Sequence, residues 1–252
     1  MSVLRKIALI SDIHANLPAL ETVYLHAKSK GVQAFLNAGD FVGYGPFPDE
    51  VISFIRKKRI PSVIGNYDQK VILIKQRQEK WQKKKNALKL IAFNWAYDHI
   101  SERNLLYLKS LQQTLLLSIF DIKILLTHGS PQNINDHLSN KTSSRKFEEI
   151  AQKNSVDIIV SGNTHQFFQK KFGGVLFINP GSIGRQDDGC PNASYAILEI
   201  DKGLKAKQYR VPYDVQKLLN TLESYNLPEE FKSMFQKGIS LDTVLHKKLS
   251  PD

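Results

Sequence analysis

The chain has 252 residues, a formal net charge of +11 and a single cysteine, Cys190. That length suffices for one sizeable core, and a lone thiol excludes an intramolecular disulfide and points to a reducing compartment. The opening Met1-Ser2-Val3-Leu4-Arg5-Lys6 precedes only a short apolar run, which excludes a signal-peptide core or membrane span there, so a cytoplasmic protein with no membrane partner is expected.

The first half alternates short apolar runs with helical patterns. Strands are expected at about 4–10, 33–37 and 60–64, and helices at about 17–29 and 48–58, an order that argues βαβ units and a mostly parallel core. Asn16 suits the N-cap of the first helix, Pro18 its first turn and Gly31 its C-terminal end. From about 69 to 110 the pattern becomes long, charged and helical, with Leu88, Ile91, Ala92, Trp95 and His99 expected on one face of an inserted helical layer. Within it, the run from Lys75 to Lys89 sets Lys75, Arg77, Lys80, Lys83, Lys84, Lys85 and Lys89 against Glu79 alone. Such a run reads first as a solvated helix face and only second as an attraction for nucleic acid.

Strands return at about 114–120 and 122–127, joined at Phe120-Asp121, and a helix at about 143–154 leads to a strand at 156–160. Strands at 167–172 and 175–178 flank the two-residue turn Gly173-Gly174, and two more follow at 194–200 and 204–211. The second half is thus expected to be richer in antiparallel pairing, with two sheets face to face and helices outside. Residues 1–211 read as one domain, and 212–252 as a helical tail packed on it or extending from it.

Five motifs stand where strands give way to loops: Asp12-Ile13-His14, Gly39-Asp40, Gly65-Asn66-Tyr67-Asp68, His128-Gly129 and Gly162-Asn163-Thr164-His165. In open α/β sheets ligands gather at the carboxyl ends of strands, so convergence of these loops is natural. Carboxylates mixed with imidazoles suit Zn, Mn or Fe better than Mg or Ca. Each motif alone has an ordinary reading: a hydrogen-bonded histidine, a Gly-Asp turn, a helix cap at Asp68. Five together, in this order, point to a shared metal centre.

Ser11-Asp12-Ile13-His14-Ala15-Asn16, Gly39-Asp40-Phe41-Val42-Gly43-Tyr44-Gly45-Pro46 and Asn179-Pro180-Gly181-Ser182-Ile183-Gly184, with the motifs above, resemble the calcineurin-like metallophosphoesterase superfamily, in its small prokaryotic phosphodiesterase branch. The resemblance implies a four-layer α/β/β/α sandwich of two mixed sheets with the inserted helical segment. It also implies two divalent metal ions (Mn, Fe, Zn or Ni) that activate a water against a phosphoester. By that likeness Asp12, His14 and His165 hold one ion, Asp40 bridges, and Asn66 and His128 hold the other, with Asn163 a further candidate ligand. Asp40, Tyr67 and Asp68 are the catalytic candidates, and Asn66, Arg185 and Asn16 the candidates for substrate binding. Asn16 serves equally as a helix cap, and Arg185 as the partner of Asp187 or Asp188.

Two positions depart from the family pattern, which usually has histidine at both Tyr67 and Asn163. A tyrosine donates a hydrogen bond but shuttles protons poorly near neutrality, and an amide is a weaker transition-metal ligand than imidazole. A phosphorylated small molecule, a phosphodiester rather than a monoester, is therefore the expected substrate. The alternatives are a catalytically weakened scaffold that keeps the fold, and a nucleic-acid-processing phosphodiesterase drawn by the basic run.

Overall fold

The structure is a computed structural model that describes residues 4–83 and 86–249. Lys84, Lys85, both ends of the chain and the side chains beyond His246 therefore lie outside the described residues. Strand β1 (Arg5–Ile10) sets the architecture, because its alternate side chains serve two cores. Ile7 and Leu9 meet Ile124, Leu126, Ile158 and Val160 of the other sheet, whereas Ala8 and Ile10 pack among helices.

β1 pairs in parallel with β2 (Ala34–Asn37), and antiparallel with β8 (Ala193–Ile200), which in turn carries β9 (Leu204–Val211). The second sheet holds β3 (Thr114–Ile119), β4 (Ile122–Thr127), β5 (Ile158–Val160), β6 (Phe168–Phe172) and β7 (Val175–Asn179). Its order is β3-β4-β5-β7-β6, with the β4, β5 and β7 pairings parallel and both edge pairings antiparallel.

Helices α1 (Leu17–Ser29), α2 (Pro48–Lys57), α3 (Asn66–Gln82), α4 (Ala87–Asp98) and α5 (Glu102–Ser110) cover the outer face of the first sheet. Helix α6 (Ser144–Gln152) covers the second through Phe147 and Ile150. The result is an α/β/β/α sandwich of two mixed sheets. Asn16 caps α1 through its side chain, and Pro18 sits in the first turn. Three further helices, α7 (Val215–Ser224), α8 (Glu229–Lys237) and α9 (Leu241–Leu249), pack Leu218, Leu222, Phe231 and Phe235 against Tyr44 and Ala92. No helix among the described residues is long and apolar enough to cross a membrane.

Two expectations are corrected, the strand at 60–64 and part of the face of α4. Residues 60–64 form no strand: Ser62 makes an isolated parallel bridge to Asn37, and Pro61, which has no N–H, contributes only its carbonyl. The second half is richer in antiparallel pairing, as expected, through β3-β4, β6-β7, β8-β9 and β8 on β1, although β4, β5 and β7 pair in parallel at the centre of the second sheet. Helix α4 buries Leu90, Ala92, Phe93 and Ala96, leaving Ile91 and His99 exposed. Of the expected stripe, Leu88, Ala92 and Trp95 do share a packed face, against the carboxyl-terminal helices, and only Ile91 and His99 fall outside it; the Trp95 and His99 rings stack on each other, 3.4 Å between centroids.

Candidate metal centre

The parallel strands deliver the motifs to one rim. Loops leave β1 at Ser11, β2 at Ala38, β4 at His128, β5 at Ser161 and β7 at Pro180, and backbone hydrogen bonds lace them together. Asp12 N–H donates to Gly39 O at 2.9 Å, Gly162 N–H to His128 O at 2.8 Å, and Gly184 N–H to Asp12 O at 3.0 Å. Approach is so close that a Cβ at Gly65 would run into Asp40, and one at Gly162 into Ser11 and Asp12, so these positions are closed to any larger residue.

Asp12, His14, Asp40, Asn163 and His165 all adopt left-handed backbone, with φ of 53, 49, 54, 66 and 58°. Non-glycine residues avoid this region unless their surroundings enforce it, and such strain gathers at functional sites. Here it turns each side chain inward. Asp12 and His14 are fully buried, as is His128, and Asp40 is 1% exposed.

Two clusters result, Asp12 with His14 and His165, and Asp12 with Asp40 and His128; in each, one ligand atom per residue lies within 4.8 Å of the others. His165 Nε2 is 3.3 Å from Asp12 Oδ1 and 3.2 Å from His14 Nε2. His128 donates from Nδ1 to Ala38 O at 2.8 Å, which aims Nε2 at Asp40 Oδ2, 3.5 Å away. That Nε2 is buried without a hydrogen-bond partner. A buried, unpartnered imidazole nitrogen among two carboxylates is what a cation would satisfy, and the mixed nitrogen and oxygen donors suit a first-row transition metal.

Burial drives His14 well below the usual imidazole range, leaving it a neutral ligand. Burial would lower His128 too, but the negative charge of the nearby Asp40 outweighs it and carries His128 up to about 9. Burial would raise Asp12 and Asp40, yet His165 and His128 respectively hold them below their ordinary value.

The other predicted residues divide into two groups. Asn66 lies at the start of α3, its Nδ2 donating to Asn163 Oδ1 at 3.0 Å and its Oδ1 accepting from Lys70 Nζ at 3.0 Å. Asn163 spans the site: its N–H donates to both oxygens of Asp12, and its Nδ2 to Asp136 O at 2.9 Å. Tyr67 shares a hydroxyl contact of 3.0 Å with the buried Tyr44 and sets its ring edge-on to His14 at 5.2 Å. Arg185 lies over the Tyr44 ring at 5.3 Å and bonds Asp187 through Nη2 at 3.0 Å.

Asp68 and Asn16 instead serve the backbone. Asp68 accepts from the N–H groups of Phe41, Val42 and Gly65, fixing the Asp40 loop to α3; burial, then the Asp40 charge, raise it to about 7. Asn16 caps Ala19 and donates to Gly184 O and Tyr213 Oη. Asp187 holds more than Arg185: its Oδ2 lies 3.1 Å from His165 Nδ1, off the line of a good hydrogen bond but close enough to orient the ring. The sequence offers Asp187 only as a partner for Arg185 and Tyr44 only as part of the motif at residues 39–46, with no role of its own, and nothing in it marks Asp136. A cleft of about 500 Å³ opens over Asp40, Asn66, Tyr67, His165, Arg185 and Asp187.

The profile of the calcineurin-like phosphoesterase superfamily domain matches residues 6–203. The uncharacterized protein MJ0912 of Methanocaldococcus jannaschii is 33% identical over 240 residues, which cover 88% of this chain and 94% of that protein. Phosphodiesterase YfcE of Escherichia coli K12 is 26% identical over 78% of this chain and 88% of its own length. A crystal structure of a metallophosphoesterase from Sphaerobacter thermophilus superposes with a TM-score of 0.77 at 28% identity, covering 93% of this chain and 99% of that one. The chain belongs to the calcineurin-like phosphoesterase superfamily and is a metal-dependent phosphoester hydrolase.

Proposed function

We propose that the centre holds two divalent ions, one by Asp12, His14 and His165 and one by Asn66 and His128, with Asp40 shared, and that it hydrolyses a phosphodiester of a small molecule. The observation that carries this reading is the Nε2 of buried His128, which has no hydrogen-bond partner and stands 3.5 Å from Asp40 Oδ2 in a cluster with Asp12. A pair of such ions lowers the pKa of water and offsets the charge on phosphate oxygens. Everything else falls to the chain. Asp40, its Oδ1 accepting from Tyr67 N–H at 2.8 Å, keeps its second oxygen facing His14 and His128. Arg185, permanently protonated and braced by Asp187, offers its fork to a non-bridging oxygen. Tyr67 offers its hydroxyl as a hydrogen-bond donor where the family usually has an imidazole, and a phenol is the poorer proton shuttle, which favours esters whose leaving group needs little help. Asn163 serves as a strut or as a weak ligand of the second ion. We take residues 1–211 as the catalytic domain, with helices α3–α5 as its insertion, and 212–252 as a cover packed upon it.

The test is hydrolysis of bis-para-nitrophenyl phosphate and of para-nitrophenyl phosphate by metal-free protein reloaded with Mn²⁺, Zn²⁺, Fe²⁺ or Ni²⁺. The diester should be cleaved faster. A faster monoester would overturn the preference, and no hydrolysis with any ion would favour the scaffold reading, for which the amide at Asn163 is the motive.

A further inference from the structure

The cleft does not end at the metal centre. Its outer end is lined by His137, Ser139 and Lys141 from one loop and by Thr164 and Gln166 from another, with no apolar side chain among them. An acyl chain would find nothing there to bury against; a charged, hydrogen-bonding group would find donors.

The loop that carries these residues is fixed. Asp136 Oδ2 accepts from Ser130 Oγ at 2.7 Å and pairs with Lys146 Nζ at 3.0 Å, while its carbonyl accepts from Asn163 Nδ2 at 2.9 Å. Ser139 N–H donates to Thr142 Oγ1 at 3.0 Å, and Lys170 Nζ reaches Asn140 O at 2.8 Å. Thr164 is held in turn by Asn179 Nδ2, 3.0 Å from its hydroxyl. Inside this anchored turn the Lys141 ammonium makes no ion pair, and the His137 ring no hydrogen bond, among the described residues. Arg185 and Lys70, deeper in the cleft, are engaged by Asp187 and Asn66, so the Lys141 ammonium is the cleft cation left without an ion pair among the described residues, with the His137 ring beside it as a further hydrogen-bonding group. A preorganised loop presenting uncommitted donors has already lost the freedom that binding would otherwise cost.

We propose that His137, Lys141 and the Ser139 hydroxyl form a second anion subsite, and that the substrate is a phosphodiester bearing a further phosphate beside the one that is cleaved. This rests on the phosphoesterase reading and narrows it to doubly phosphorylated esters. No bond is made or broken at the subsite; its part is to lower KM for the right ester.

The experiment uses the full chain loaded with Mn²⁺ and two probes, the para-nitrophenyl ester of thymidine 5′-phosphate and the same ester carrying a 3′-phosphate. Wild type should show a KM about tenfold lower for the 3′-phosphorylated ester, a gain that shrinks as salt rises. Lys141→Gln and His137→Gln should each remove most of that gain, and Lys141→Glu should reverse it, while all three match wild type on the unphosphorylated ester. Equal KM values for the two esters in wild type, or a gain untouched by Lys141→Glu, would overturn the subsite and leave the phosphoesterase reading standing. Hydrolysis of neither ester would overturn both.

Discussion

The two halves of the proposed centre are built differently. On one side Asp12, His14 and His165 meet as charged or imidazole donors, His14 and His165 facing each other at 3.2 Å. On the other, His128 is poised with an empty nitrogen, but its companion Asn66 spends its amide on Asn163 and Lys70. Both halves rest on the same rim and on Asp40, so the contrast is one of donor chemistry and not of fold. A site can be geometrically complete on both sides and still hold two ions with unequal grip, because an amide oxygen is a poorer donor to a transition metal than imidazole.

The largest expected effect removes the shared element. Asp40→Asn keeps the shape of the side chain but not its charge, and should lower diester hydrolysis by at least about a thousandfold, with metal content falling at both positions. If one ion stayed fully bound, Asp40 would not be the bridge. Next in size is the comparison of His165→Ala with His128→Ala. The first should strip the tighter ion and the second only the weaker, read as metal per chain after gel filtration, each with a loss of roughly a hundredfold in rate. Equal losses of metal would erase the asymmetry.

A smaller change should act in the opposite direction. Asn163→His supplies the missing imidazole and should tighten the weaker ion by about tenfold, measured by competition with a chromogenic chelator. It also deletes the hydrogen bond to Asp136 O, so the preference for a doubly phosphorylated ester should fall in the same variant. Asn163 thereby links the weaker half of the centre to the loop beyond it.

The smallest prediction is a control remote from both halves. Asp49 on α2 accepts from Ser101 N–H and from Asn104 Nδ2, each at 2.7 Å, fastening α5 to α2. Burial opposes its charge, but the Ser101 and Asn104 hydrogen bonds outweigh it and hold Asp49 below its ordinary value. A depressed carboxylate adds stability above its unfolded value near 3.9 and loses it as pH falls through that range. Asp49→Asn should cost about 1 kcal/mol at neutral pH, a few degrees in Tm, and less at pH 3, with metal content and KM unchanged.

Much of the site was legible because its parts are short and local. Strand, glycine and ligand follow one another within a few residues at Asp12, Asp40, His128 and His165, and the exit of a parallel strand tells where such a loop will stand. The cap at Asn16 and the turn at Gly173-Gly174 were readable for the same reason. What escaped are partnerships made across the chain. Asn163 reaches Asp136 and Asn66, 27 and 97 positions away, and His14 meets His165 across 151. No spacing rule encodes those. The second face of α4 escaped for another reason: that helix is apolar nearly all round, packing Leu88, Ala92 and Trp95 on the C-terminal helices and Leu90, Phe93 and Ala96 into the core of the first sheet, so one stripe could not describe it.

Tyr44 gives the carboxyl-terminal helices a voice in the chemistry. Its ring meets Phe231 of α8 edge-on at 5.3 Å, and its hydroxyl touches that of Tyr67, so two contacts separate α8 from a side chain that lines the cleft. Proteolytic nicking after Val211, or a partner that pries α8 loose, should blunt turnover long before the sandwich melts.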